Sequence, residues 1–395
     1  MFTFRLASVS VFLLMILGAC GSPSARLGQV SASPSAAAMA LASPQSSPSP
    51  AASASPVASP SPAHGLLFVV VEGGSLASQP GTVAIVGLDG YARAKASFQP
   101  RVGPVIPDAY TPLHGVAQVA GSGVYYIDRA GTVRGLRVGS QPQIVARFPL
   151  QPAQEDVWFA VSPDGSRVLA GILTFPALGP IIPGTSWNTL IGSTKFDLET
   201  ASAGGQTKTL VHLEAPQGAN GPTATFPVGW TPAGSVAMLP EYLTSQNSWP
   251  GGPLYVINDS GKKTQQLGGS DCYSASITSS GFIPCTTATT SAVTVRDRAG
   301  KVIWTTHMDG SGAWYVKVSA DGQAILNDSQ VETRATGMVR MPPGFRVQGW
   351  LDTNTVMGRV QQQNGDEGDL LWISLADPTK VHDLGFKGDF VAAIA

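Results

Sequence analysis

From residue 65 onward, short apolar runs punctuate the chain, and each ends close to Gly, Pro, Asn or Asp. LLFVVV (66–71), TVAIVGL (82–88), VYYID (124–128), LYVIN (254–258), AVTVRD (292–297) and LLWISL (370–375) are rich in β-branched, aromatic and aliphatic residues. No stretch of this region holds the 3.6-residue apolar period of a long amphipathic helix. Many short strands separated by turn residues predict an all-β domain: a sandwich, a barrel or a ring of sheets.

A repeat separates these choices. VWFAVSPDGSRVLAGI (157–172) reads as a strand, a Pro-Asp-Gly turn and a second strand. Weaker copies are VAQVAGSGVYYI (116–127), FPVGWTPAGSVAML (226–239), YSASITSSGFIP (273–284), WYVKVSADGQAIL (314–326) and VQGWLDTNTVMG (347–358). Their turn residues Gly123, Gly165, Gly234, Gly281, Gly322 and Asn354 are separated by 42, 69, 47, 41 and 32 positions. A period near 40–45 residues is that of the blades of a β-propeller. The 69-residue step predicts a long insertion. FVAAIA (390–395) has no strand after it, and LLFVVV has no inner partner before it. Pairing the two makes a seventh blade and removes two exposed edges. The expected fold is therefore one all-β propeller of seven four-stranded antiparallel blades over residues 65–395. Six or eight blades, or an irregular two-domain sandwich, are the alternatives.

VSPDGSRVLA (161–170), and with Ala320 in place of Pro VSADGQAILN (318–327), resemble the WD40-like repeat of TolB-type propellers. In that family an inner strand turns through Ser-Pro-Asp-Gly into the second strand. The motif covers two blades, and the looser pattern covers most of residues 65–395. The resemblance implies a fold, and an extracytoplasmic, protein-binding setting, but no particular partner.

The N-terminus reads as an address. Arg5 precedes an apolar run from Leu6 to Leu17, the layout of an export signal. Leu17-Gly18-Ala19-Cys20 resembles the bacterial lipobox, which implies a signal peptide over residues 1–19 and a diacylglycerol on the Cys20 thiol. Residues 20–64 then form a linker of Ser, Pro and Ala. It buries too little apolar area to offset its chain entropy and is expected to stay disordered and extended. The protein is thus expected outside the cytoplasm, held to the cell membrane by lipid. With Cys20 so used, Cys272 and Cys285 remain, thirteen positions apart around a predicted hairpin, and a disulfide between them suits an oxidising compartment.

Charged residues make up 12% of the chain and the net charge is −1. No Lys/Arg cluster gives the footprint of a nucleic-acid binder. No GxSxG or HExxH occurs, and the five histidines are scattered without metal-ligand spacing. Ser260-Gly261-Lys262-Lys263 has SxxK spacing but sits in a predicted NDSGKK turn, where turn chemistry accounts for it. The predicted inner strands carry no Asp or Glu. Glu155 and Asp156, just before one of them, are the best candidate acids for a glycan hydrolase. Asp366, Glu367 and Asp369 read as a solvated acidic loop. No catalytic residue, metal or cofactor is assigned.

The long connections between strands are expected on the rim opposite the tight turns, where rigid scaffolds present ligand sites. They carry Tyr110 and His114, with Asp108 beside them, then Trp187, then Tyr242 and Trp249, with Glu241 alongside. Aromatic side chains with a few polar groups form a candidate ligand-binding surface. Trp158, Trp230, Trp314 and Trp350, which recur once per repeat, are expected to fill gaps between blades. The expected function is a non-catalytic, monomeric binding or scaffold module engaging an envelope protein. A cell-surface glycan-binding lectin is the alternative, and a glycan hydrolase a further one.

Overall fold

In the computed structural model, residues 65–73, 79–100, 116–151, 154–175, 194–214, 225–238, 252–269, 272, 276–286, 291–308, 316–361 and 368–394 are described. The first blade uses β1 (Leu67–Glu72), β2 (Gly81–Gly87) and β3 (Ala92–Phe98). The second is β4 (Ala117–Ala120), β5 (Gly123–Ile127), β6 (Thr132–Leu136) and β7 (Gln143–Arg147). The third is β8 (Glu155–Val161), β9 (Arg167–Thr174), β10 (Lys195–Ser202) and β11 (Lys208–Glu214). The fourth is β12 (Phe226–Thr231), β13 (Gly234–Met238), β14 (Leu254–Ile257) and β15 (Lys263–Gly268). The fifth holds β16 (Ile283–Thr286), β17 (Ala292–Arg296) and β18 (Val302–His307). The sixth is β19 (Lys317–Val318), β20 (Ala324–Leu326), β21 (Val331–Thr333) and β22 (Gly337–Val339). The seventh is β23 (Phe345–Trp350), β24 (Thr355–Val360), β25 (Leu371–Ser374) and β26 (Val381–Asp383). The last strand, β27 (Asp389–Ile394), returns to the first blade and pairs with β1.

The chain is a seven-bladed β-propeller, as the repeat predicts. Six sheets have four strands among the described residues, and the fifth has three. In that fifth blade Ile277 occupies the inner position. A Cβ on Gly229 of the neighbouring inner strand would lie 2.1 Å from its Cγ2. Thr278 then begins the turn into β16, its N–H donating to Phe282 O at 3.0 Å. The long insertion in the third repeat adds no blade. It divides between the β9–β10 connection and the β11–β12 connection.

The apolar runs are continuous because both faces of each inner sheet are covered. In β8, Val157, Phe159 and Val161 pack with Tyr125, Ile127 and Phe148 of the second blade. The alternate residues Trp158 and Ala160 pack with Phe226 and Val236 of the fourth. In β1, Val69 and Val71 face the second blade, and Phe68 and Val70 face the seventh. Side chains alternate across a strand, so a strand wedged between two blades needs apolar residues at every position. Trp158 meets Phe226 edge-on at 4.5 Å. Arg167 of the third blade lies over the Trp230 ring at 4.6 Å. Trp350 Nε1 donates to Lys317 O at 3.3 Å. These three tryptophans thus bridge blades; Trp314 lies outside the described residues.

The tight turns are built by local hydrogen bonds. Asp164 accepts from the Ser162 hydroxyl at 2.6 Å and from the Ser166 N–H at 3.0 Å, while Arg167 N–H donates to Ser162 Oγ at 2.9 Å. The sixth blade repeats the pattern: the Ser319 hydroxyl donates to Asp321 at 2.6 Å, and Ala324 N–H to Ser319 Oγ at 3.0 Å. Ala320 stands where Pro163 does with the same bonds formed, because Pro has no backbone N–H to give and the Ala320 N–H takes no part in them. Gly165 and Gly322 both adopt positive φ, at 74° and 71°. In the second blade the left-handed residue is Gly121, at φ 52°, rather than Gly123, which is already the first residue of β5.

Candidate functional site

Successive antiparallel strands reverse direction, so each blade sends its first-to-second and third-to-fourth connections to one rim. Its second-to-third and blade-to-blade connections go to the other. The tight turns at 162–166, 258–262 and 297–301 belong to the first rim. The segments carrying Tyr110, His114, Trp187, Tyr242 and Trp249 leave from the opposite rim. They join β3 to β4, β9 to β10, and β13 to β14. The predicted residues themselves, with Cys20, Asp108, Glu241, Asp366 and Glu367, lie outside the described residues.

The two remaining cysteines form the expected disulfide. Cys272 and Cys285 are joined with their Cα atoms 4.6 Å apart, and both are buried. Gly252 N–H donates to Cys272 O at 3.0 Å, tying the chain ahead of β14 to this staple.

The inner strands are not free of acids, which corrects the sequence reading. β8 begins at Glu155, so both Glu155 and Asp156 lie within it, and β27 begins at Asp389. Pairing with Thr174 and Leu173 of β9 extends β8 over these two residues. Glu155 is tethered: it accepts from Gln151 N–H at 2.6 Å and from the Thr174 hydroxyl at 3.3 Å. Asp156 is fully buried and accepts from Val157 N–H at 2.9 Å. Carboxylates so engaged are placed to hold the strand end. The NDSGKK segment is a turn, as expected: Asn258 Oδ1 accepts from Ser260 N–H, the Ser260 hydroxyl and Lys262 N–H.

The structure brings together a polar set that the sequence reading missed. On the innermost strand of the sixth blade, Lys317 Nζ donates to Gln348 O on the innermost strand of the seventh, at 2.6 Å. Gln348 reaches in turn to β27. Its Oε1 accepts from Phe390 N–H at 2.9 Å and its Nε2 donates to Asp389 Oδ1 at 3.2 Å. Arg359 of β24 forms an ion pair with Asp389. Gln118 of β4 likewise donates to Phe159 O of β8. An inner strand presents an unpaired backbone edge to the ring axis, and such edges need covering. Here polar side chains of one inner strand cover backbone groups of the next. The available signal was a single Lys or Gln inside an otherwise apolar inner run: Lys317 in YVKV and Gln348 in VQGW. Burial pushes the Lys317 ammonium pKa down. Among the described residues, no group of three or more His, Cys, Asp or Glu is placed to hold a metal ion.

No protein-family description matches the chain, and no curated protein matches it. Solved structures do. An oligogalacturonate lyase in complex with manganese is 8% identical, over 77% of this chain and 70% of that one, with a TM-score of 0.34. A streptogramin B lyase is 13% identical, over 72% of this chain and 85% of that one, with a TM-score of 0.39. The Pyrococcus horikoshii acylaminoacyl peptidase is 11% identical over 77% of this chain, with a TM-score of 0.45; the match spans 47% of that chain. At these identities and scores the likenesses carry no argument about what this chain does.

Proposed function

We propose that this protein is an extracytoplasmic binding module, tethered to the cell membrane through a lipid on Cys20, that engages a protein partner through its long-connection rim. One observation supports the reading most. The chain enters the ring at Leu67, which pairs with Ile394 at the far end of the innermost strand β27. That end belongs to the tight-turn rim. The described chain therefore enters the ring at the rim opposite the one from which the β9–β10 and β13–β14 connections leave, the connections that carry Trp187 and Trp249. In the tight turns the Asp, Asn and Ser side chains bond within their own turn, whereas the long segments leave from the other rim.

Photo-crosslinking in intact cells tests this. A crosslinker placed at Trp187 or Trp249 should capture a discrete protein, and one placed at Asp259 or Ala299 should not. Equal capture from both rims overturns the assignment. Capture of glycan alone, abolished by Trp187→Ala with Trp249→Ala, would move the reading to the lectin.

A further inference from the structure

At the seam of the sixth and seventh blades, the β20–β21 turn, the β22–β23 crossing and the end of β24 meet on the long-connection rim. Between them lies an open groove of about 510 Å³, lined by Ser329, Met341, Pro342, Phe345, Arg346 and Gln361. The fold's own bonds fix its walls. Asn327 Oδ1 accepts from Ser329 N–H at 3.0 Å and from the Ser329 hydroxyl at 3.3 Å. Phe345 N–H donates to Pro342 O, and Gln361 N–H to Gly344 O, both at 3.1 Å. Val347 N–H donates to Asp328 O at 2.9 Å and ties the two blades together here. A site formed before its ligand arrives loses less freedom on binding.

One wall is apolar, from the partly buried Met341 and Pro342. The other is positive. Arg346 Nη1 donates to Asp328 Oδ2 at 3.0 Å, and its Nη2 to Gln361 Oε1 at 3.2 Å. Arg340, next to Met341, is exposed and adds a second positive charge; Asp328 offsets one of the two. The two partners of the Arg346 fork differ in kind. Asp328 is an acid, whereas Gln361 offers a neutral amide oxygen on an exposed side chain. A carboxylate makes the stronger bond to a guanidinium.

We infer that this groove binds an acidic peptide segment of the partner protein. An Asp or Glu carboxylate of that segment takes Nη2 of Arg346 from Gln361, and an adjacent apolar side chain lies on Met341 and Pro342. The inference rests on the reading of this rim as the partner-binding face, and it adds a contact on blades other than those whose connections carry Trp187 and Trp249.

The test uses purified full-length protein and random dodecapeptides displayed on phage. Selected peptides are synthesised with a fluorescein label and titrated by fluorescence anisotropy. They should carry Asp or Glu beside an apolar residue. Arg346→Gln should weaken their binding about tenfold, the scale of one charge-assisted hydrogen bond. Gln361→Glu gives Arg346 a carboxylate of its own and should weaken binding likewise. Arg93→Gln, at an exposed arginine paired with Asp89 on the tight-turn rim, should leave it unchanged. Both groove positions are exposed, so the variants should keep the circular dichroism of the parent; should Arg346→Gln fail to fold, Gln361→Glu decides. No selected peptide, peptides without acidic residues, or equal binding by the parent and the groove variants overturns the inference. The crosslinking at Trp187 and Trp249 is read separately. Capture there without peptide binding defeats the groove alone, and peptide binding without capture there defeats the earlier reading alone.

Discussion

Phe390 and Phe68 meet with ring centroids 6.2 Å apart, packing the last strand of the chain onto the first. Both are buried, and Gln348 of the seventh blade accepts the Phe390 N–H. Phe390 thus has neighbours in two blades where the ring closes. Phe390→Ala should lower stability by about 3–5 kcal/mol, the cost of a large cavity in a core. Val302→Ala, at a position 41% exposed, should stay within about 0.5 kcal/mol. Urea unfolding of both variants gives the comparison. Similar losses at the two positions would show that closure contributes no special stability.

The Cys272–Cys285 bridge closes a loop of 13 positions across the fifth blade. A crosslink of that span restricts the unfolded chain and stabilises the fold by about 3 kcal/mol. Unfolding with and without reductant should show a lower midpoint in the reduced protein. An unchanged midpoint would mean that burial of Cys272 and Cys285 alone holds this segment.

Asp164 and His212 carry pH dependences of opposite sign. The Ser162 hydroxyl, the Ser166 N–H and the Ser166 hydroxyl hold the Asp164 carboxyl down at about 2. A depressed carboxyl contributes stability above its unfolded pKa of 3.8 and loses it as pH falls toward 2. The stability difference between the parent and Asp164→Asn should therefore shrink across that window.

His212 is raised above 6.5, first by its hydrogen bond to Asp197 at 2.6 Å, with Glu214 contributing less. Lys195 binds Glu214 at 3.0 Å, and Glu199, itself pushed up by burial and then by Asp197 and Glu155, lies on the same sheet. A raised imidazole contributes stability that is complete below 6.5 and lost as pH climbs through the folded value. Proton NMR should find His212 titrating above 6.5, and Asp197→Asn should bring it back down. A His212 pKa that ignores Asp197→Asn would refute this assignment of cause.

Gly131 and Gly139 have nearly the same backbone, with φ of 77° and 73°. Their surroundings differ. A Cβ on Gly131 would lie 1.9 Å from Phe148 O, a backbone atom that also ends a sheet, whereas one on Gly139 meets nothing within 4 Å. Gly139→Ala should cost about 1–2 kcal/mol, the left-handed strain alone. Gly131→Ala should cost clearly more, because the Gly131–Phe148 hydrogen bond at 2.9 Å must also yield. Thermal unfolding of the pair separates strain from collision.

The sequence by itself determined the blades. Strands buried on both faces must be apolar throughout, so LLFVVV and VWFAV stand out without knowledge of their neighbours. Turns such as Ser162–Arg167 are closed by side chains two to five positions away, so their letters recur and set the period. Even ring closure was readable, because two strands at opposite ends of the domain each lacked a partner. Tertiary structure alone decided what crosses between blades. Glu155 and Asp156 belong to β8 because Thr174, Leu173 and Gln151 give them partners, and a charged pair at a strand end looks the same in sequence whether paired or not. Gly121 rather than Gly123 takes the left-handed turn of the second blade, since pairing of Ala120 with Gly123 leaves only two residues to reverse the chain. Lys317, Gln348 and Asp389 are single polar residues in three separate runs. They become one network only when three inner strands converge around the ring axis, and local pattern carries no record of that distance.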